Sequence, residues 1–149
     1  MDALFYCEVC GNEREAALSA CPYCGTRVRI QVQRQGPQQK IINLERGLPR
    51  VDEALAHLER ELDLARTVRC RVLTLIHGYG SSGRGGKIRR EVRAQLEYLK
   101  IQGTITDLLT GEDFSSRSSR GRHFLRRFPF LREHGDLNRS NPGITLVAL

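Results

Sequence analysis

The stretch Val72-Leu-Thr-Leu-Ile-His-Gly-Tyr-Gly80 decides the fold of the larger part of this chain. Its first five residues are almost continuously apolar, which is typical of a central strand that is covered on both faces. Glycines continue as far as Gly86, and a basic helix is predicted after them. A strand, a glycine-rich loop and a helix in this order favour an α/β fold with its functional groups at the end of the strand.

Alternating elements extend outward from this stretch on both sides. Hydrophobic periodicity predicts a strand at 41–44, a helix at 51–65, a strand at 72–76, a helix at 88–99, and strands at 104–109 and 144–149. The order strand, helix, strand, helix, strand, strand predicts a small α/β layer fold with a largely parallel centre.

Four of the five cysteines form two Cys-x2-Cys pairs, and a glycine follows each pair. They are Cys7, Cys10, Cys21 and Cys24. Two such knuckles aim four thiolates at one point and predict a closed, structural zinc site, with a rubredoxin-like iron site as the alternative. The first residues show no export signal, so a disulfide framework is not favoured. We therefore predict a zinc ribbon over 1–36 and an α/β domain over 37–149.

The formal net charge of +7 comes from the second half of the chain. Residues 70–149 carry 14 basic and 7 acidic side chains, whereas the two signs balance over 1–69. One arginine-rich cluster follows the glycines, and another lies within 110–143, which we expect to be a long basic loop. Such a localised excess favours phosphate-rich partners over a merely solvated surface. No apolar stretch is long enough to cross a membrane, so we expect a cytoplasmic protein without a membrane partner.

The glycine-rich loop has the composition of a phosphate-binding loop. Glycines let backbone amides approach an anion, and the following helix N-terminus adds unpaired N–H groups. The residues expected to contact phosphate here are Gly78, Tyr79, Gly80, Ser82, Gly83, Arg84, Lys87 and Arg90. The loop is not a Walker A motif, because Ile88 stands where Ser or Thr would hold magnesium. His77 at the strand tip would either transfer a proton during phosphodiester cleavage or anchor the loop through hydrogen bonds.

At these residues the chain resembles the small MutS-related (Smr) domain. The resemblance covers 41–149 and rests on the strand–His-Gly-x-Gly–helix pattern and on the closing Asn-Pro-Gly143-Ile-Thr-Leu-Val-Ala-Leu. It implies a small two-layer βαβαββ sandwich that binds nucleic acid. It also implies a DNA-nicking or RNA-cleaving endonuclease, with His77, Gly78 and Gly80 on the active surface, acting in DNA repair or RNA quality control.

The first strand departs from the pattern of the family. Members usually have Leu-Asp-Leu-His-Gly there, whereas this chain has Asn43-Leu-Glu-Arg-Gly47. Leu44 and Arg46 therefore occupy the aspartate and histidine positions, Glu45 would replace the acid in part, and Arg46 would contact phosphate. The candidate catalytic residues are His77, Glu45 and Arg46, and magnesium or manganese is the metal that would assist cleavage.

The segment 110–143 combines arginines with four phenylalanines. We expect Arg120, Arg122 and Arg126 to bind nucleic acid while the aromatic rings stack on bases, or else the rings to cover the sheet. For the whole chain, two functions stand beside an endonuclease. One is a non-catalytic module that binds nucleic acid or the ribosome, and the other is a protein-interaction adaptor built on the ribbon.

Overall fold

The computed structural model of the protein describes residues 4–7, 9–15, 20–26, 37–80 and 85–149. The chain divides into two compact units, Met1–Arg34 and Gln35–Leu149. In the small unit, strand β1 (Leu4–Tyr6) pairs with strand β2 (Glu13–Glu15) in an antiparallel hairpin. No helix among the described residues is long and apolar enough to cross a membrane.

The large unit contains the six elements predicted from hydrophobic periodicity, together with two further helices. In chain order they are β3 (Gln39–Asn43), α1 (Val51–Thr67), β4 (Val72–Ile76), α2 (Gly85–Ile101), β5 (Asp107–Thr110), α3 (Ser119–Arg127), a 3-10 helix (Pro129–Glu133) and β6 (Ile144–Ala148). The prediction of an α/β fold with the order βαβαββ is confirmed.

The four-stranded sheet has the order β3-β4-β6-β5. Strand β3 is parallel to β4, but β6 lies between β4 and β5 and is antiparallel to both. The expected largely parallel centre is therefore wrong, because the last strand enters the middle of the sheet in the opposite direction. This arrangement brings Asn43, Ile76, Thr110 and Ile144 to one edge of the sheet, which we call the loop edge.

Both faces of the sheet are covered, because the side chains of β4 alternate between two cores. Leu73 and Leu75 pack with the buried faces of α1 and α2 in one core. Val72 points to the other face and packs with Leu109 and Leu146. The sequence predicted a central strand covered on both sides, and β4 has this burial.

The segment 110–143, expected to be a long basic loop, is folded and covers the second face of the sheet. Phe114, Phe124 and Phe128 are at most 3% exposed and belong to the second core. The expectation that these rings stack on bases is therefore wrong, since a nucleobase cannot reach them. Gly121 permits the close packing of α3, because a side chain there would overlap the carbonyl oxygen of Ser115. The helices of this segment add a third layer to the predicted two-layer sandwich.

Candidate functional site

The four paired cysteines of the small unit form one cluster. Their sulfur atoms all lie within 4.8 Å of one another. The Sγ atoms of Cys7 and Cys24 are 3.7 Å apart, and those of Cys10 and Cys21 are 3.6 Å apart. A tetrahedral zinc ion with Zn–S bonds of about 2.3 Å separates its sulfur ligands by about 3.8 Å. The cluster therefore has the donor type and the spacing that a zinc ion requires.

The two knuckles repeat the same hydrogen bonds. The amide of Gly11 donates to the carbonyl of Cys7 at 2.8 Å, and the amide of Gly25 donates to the carbonyl of Cys21 at 2.8 Å. Both glycines have positive φ angles, 75° and 72°, which a residue with a side chain rarely adopts. This repetition explains why a glycine closes each pair in the sequence.

The second residue after each pair contacts the exposed sulfur of that pair. Asn12 Nδ2 donates to Cys10 Sγ at 3.5 Å, and the Thr26 hydroxyl lies 3.1 Å from Cys24 Sγ. Hydrogen bonding from the Thr26 side chain and backbone lowers the pKa of the Cys24 thiol to about 6. Such contacts favour the thiolate, the form of cysteine that binds metal.

The second candidate site lies at the loop edge of the large unit, where His77 follows β4. The imidazole is fully buried, with no exposed surface. Its Nδ1 lies 2.8 Å from the carbonyl oxygen of Gly78, and its Nε2 lies 2.8 Å from Thr145 Oγ1. Because a carbonyl oxygen only accepts, Nδ1 carries the proton and Nε2 accepts from the Thr145 hydroxyl.

This chain of hydrogen bonds continues to Arg93 on α2. The Nε of Arg93 donates to Thr145 Oγ1 at 3.1 Å, which leaves the hydroxyl proton free to point at His77. Arg93 is itself held by Glu112, whose carboxylate accepts bonds of 3.0 Å and 2.7 Å from the guanidinium. Four separate pieces of the chain are thereby joined at the loop edge, with His77 and Thr145 buried and Glu112 exposed.

Burial keeps His77 neutral. The pKa of the imidazole is lowered to about 4, chiefly by burial; Arg93 and Arg89 act in the same direction, and the Gly78 carbonyl and Glu112 in the opposite one. The sequence named His77 either as a proton-transfer group or as a loop anchor. The buried ring with both nitrogens occupied has the geometry of the loop anchor.

The end of β3 places Glu45 against the glycine turn that follows β4. The side chain of Asn43 accepts hydrogen bonds from the amides of Glu45 and Arg46 at 2.9 Å and 3.0 Å, which fixes this turn. The Glu45 carboxylate lies so close to Gly78 that a β-carbon there would be 2.6 Å from its Oε1. Leu44 is buried in the first core. Residue 44 therefore packs in the core, and Glu45 is the acid beside the glycine turn that follows β4.

An exposed cleft of about 520 Å³ opens where the glycine turn meets the start of α2. It is lined by Tyr79, Gly80, Gly86, Lys87, Arg89 and Arg90. No acidic residue lies in the first turn of α2. Arg89 contacts Glu112 at 3.5 Å, but Lys87 and Arg90 form no ion pair with any described residue. The cleft therefore combines free positive charge with the exposed ring of Tyr79.

Not all of the predicted phosphate contacts meet in this cleft. The amide of Gly78 is already used, since it donates to the carbonyl of Gly143 at 3.1 Å. Arg120, Arg122 and Arg126 lie on α3, which covers the opposite face of the sheet from α2. Ser82, Gly83 and Arg84 lie outside the described residues. The structure thus separates the predicted basic residues into two surfaces.

Sequence reasoning missed Thr145 and Glu112 as parts of this site. Thr145 lies in an apolar strand, where a threonine is an ordinary residue, and only the pairing of β6 with β4 brings it to His77. Glu112 is one of two adjacent acids after β5, and its partner Arg93 lies in the arginine-rich cluster after the glycines. His77 and Thr145 are far apart in the sequence, and so are Arg93 and Glu112. No local sequence pattern therefore predicts either contact.

Part of the large unit is similar to a known protein family. Residues 45–105 match the model of the Smr domain family, which confirms the resemblance over this part of the chain. The crystal structure of the Smr domain of Thermus thermophilus MutS2 is similar, with 24% identity, 74% of this chain and 96% of that chain covered, and a TM-score of 0.46. No curated protein matches the chain. The matched residues include Glu45, the glycine turn and all of α2.

We expect the purified protein to contain one zinc ion per chain, which elemental analysis measures. Cys24→Ser should lose the metal, because three thiolates and a hydroxyl bind zinc less tightly than four thiolates. Cys70→Ser is the control, since Cys70 is buried outside the cluster and should leave the zinc content unchanged. Iron in place of zinc would support the alternative site, and full retention of metal by Cys24→Ser would contradict the assignment.

We also expect His77 to stay neutral down to about pH 4, with its proton on Nδ1. Since an unfolded histidine has a pKa near 6.5, the unfolded state binds the extra proton first as the pH falls. The contribution of His77 to stability is therefore complete above about pH 6.5 and is lost towards pH 4, by about 3 kcal/mol in total. NMR of the imidazole nitrogens measures both the tautomer and the titration. A midpoint near 6.5 for His77 would refute the anchored geometry.

Proposed function

We propose that the large unit binds nucleic acid at the loop edge, through the cleft between Tyr79 and the start of α2. The observation that carries this proposal is the combination of two cations, Lys87 and Arg90, which form no ion pair within the described part of the chain, with a tyrosine that is 55% exposed. Cations neutralise phosphates, and an exposed aromatic ring stacks on an unpaired base. The N-terminus of α2 adds the partial positive charge of its backbone amides.

The contrast with the neighbouring arginines supports this choice of residues. Arg93 is neutralised by Glu112 and holds the structure below the cleft. Lys87 and Arg90 are exposed on the same helix, and no acid opposes them among the described residues. Of the five basic residues of α2, Arg89, Arg93 and Lys100 are therefore paired with acids, and Lys87 and Arg90 face solvent without an acid among the described residues. Arg46 lies at the same edge, is exposed and is a further candidate for phosphate contact.

The match to the Smr domain family gives independent support, because it covers the residues that build the cleft. The resemblance to that family associates this region with nucleic-acid binding and nicking. RNA and DNA present the same phosphates, so a role in RNA quality control, at the ribosome or in DNA repair would use the same surface. Comparison of RNA with DNA probes separates these roles.

The binding proposal predicts the effect of removing the two free charges. Lys87→Gln with Arg90→Gln should weaken binding to a single-stranded RNA of about 20 nucleotides and reduce the log–log salt slope by about 1.4, since two phosphate contacts are lost. Fluorescence anisotropy at several salt concentrations measures both quantities. The matched control is Arg60→Gln with Arg66→Gln, which removes two exposed charges from α1. Equal effects of the two double variants would contradict a specific site and leave only the net charge.

A second candidate function is cleavage of the bound strand, and the position of Glu45 favours it. Its carboxylate lies over Gly78, one residue from Tyr79 in the cleft, and it is only partly buried. A carboxylate there would accept a proton from an attacking hydroxyl or water, while Arg46 would stabilise charge on the phosphorus. His77 would act indirectly, by holding the Gly78 turn in place.

These roles predict different results when Glu45, the proton acceptor, and His77, which holds the turn, are substituted. Glu45→Gln should abolish cleavage of labelled RNA or nicking of supercoiled plasmid, with binding retained, because only the proton acceptor is removed. The assay is run with and without magnesium or manganese. His77→Asn should lower cleavage and binding together, since it disturbs the turn. Cleavage that survives Glu45→Gln would refute the role of this acid, and no cleavage by the parent protein would support a pure binding module.

A further inference from the structure

The second basic surface lies on the other face of the sheet, along α3. The exposed residues of this helix are Ser119, Arg120, Arg122, His123, Arg126 and Arg127. No acidic residue occurs among them. Arg120 is paired with Asp107, but Arg122, Arg126 and Arg127 form no ion pair with any described residue. Two of these three arginines are the last two residues of the helix.

Helix α3 runs from the loop edge to the opposite edge of the sheet. At its beginning, the Ser118 hydroxyl donates to the carbonyl of Asp113, which follows β5. At its end, Arg127 donates to the hydroxyl of Thr106, which precedes β5. The residue before β4, Arg71, reaches the same place and donates to the carbonyl of Arg127 at 3.5 Å. The last turn of α3 thus meets the start of β4 at the edge far from the cleft.

Arg71 and Arg127 are held against one aromatic ring. Their Cζ atoms lie 5.2 Å and 4.9 Å from the centre of the Phe128 ring, and Arg71 also lies 5.8 Å from the centre of the Phe130 ring. Both arginines are exposed, and neither forms an ion pair with a described residue. We call Arg71 and Arg127 the arginine pair. Stacking fixes the two planar groups while leaving N–H donors available for an anion.

No acid among the described residues neutralises either guanidinium of the arginine pair, so a bound anion would supply the missing negative charge. A guanidinium presents parallel N–H groups that match the oxygens of a phosphate. The half-buried Phe130 beside the pair offers an aromatic surface of the kind on which unpaired bases stack. A nucleic-acid strand fits these features better than an acidic peptide, which offers no base for the ring.

We propose that the arginine pair, with Phe130 beside it, is a second nucleic-acid contact, separate from the cleft at the loop edge. This inference rests on the proposed function for its class of partner, a nucleic acid, but it concerns a different surface. Strand β4 separates the two sites by about 16 Å, at about 3.3 Å per residue. Only a strand long enough to reach both sites would gain from the two contacts together.

The test compares an RNA dinucleotide with a single-stranded RNA of about 20 nucleotides, since the dinucleotide is too short to reach both sites. Arg71→Gln with Arg127→Gln should weaken binding of the long probe by about tenfold and reduce its log–log salt slope by about 1.4. Addition of Phe130→Leu should weaken binding further without changing the slope. The control is again Arg60→Gln with Arg66→Gln, and thermal unfolding confirms that each variant is folded.

The outcomes separate this inference from the proposed function. If the variant at Lys87 and Arg90 weakens binding but the variant of the arginine pair matches the control, the second contact is refuted and the cleft remains. If only the arginine pair matters, the cleft is refuted and the second contact stands. A loss of stability without a loss of affinity would assign the pair to capping the end of α3 and would overturn the inference. If the parent protein binds neither RNA nor DNA, both proposals fail.

Discussion

The buried hydrogen-bond chain from Arg93 through Thr145 and His77 to the carbonyl of Gly78 holds the loop edge together. Its members come from three separate parts of the sequence, namely α2, β6 and the turn after β4, and each bond satisfies a polar group that burial would otherwise leave unpaired. Because the ring of His77 can donate only from Nδ1 here, the direction of every bond in the chain is fixed. The glycine turn after β4 therefore has one position relative to α2 and β6.

Because these buried hydrogen bonds hold the loop edge in place, the exposed basic residues beside it are not needed to stabilise the fold. Arg93 and Glu112 neutralise each other, whereas Lys87 and Arg90 project into solvent from the same helix without an acid among the described residues. In the small unit, the same backbone hydrogen bonds recur in both knuckles and bring the four sulfur atoms together. In both units, hydrogen bonds within the protein fix the position of the groups that a ligand would contact.

Much of the fold could be predicted because its elements have strong local signals. The apolar run of β4, the helical periodicity of α1 and α2, and the spacing of the cysteine pairs each reflect packing or ligand geometry within a few residues. The prediction of a loop over 110–143 is wrong, because α3 has many arginines and only a few apolar residues that pack against the sheet. Phe114, Phe124 and Phe128 have no periodic pattern long enough to reveal which face of the sheet they cover.

The sequence by itself determined the four-cysteine cluster, the βαβαββ order and the likeness to the Smr domain, because these depend on short spacings and on residue type. Only the tertiary structure decided that β6 enters the sheet antiparallel and carries Thr145 to His77. It also decided that the basic residues form two surfaces and that Arg71 joins the end of α3. These facts depend on contacts between residues far apart in the chain, and burial and strand pairing set such contacts only when the whole sheet assembles.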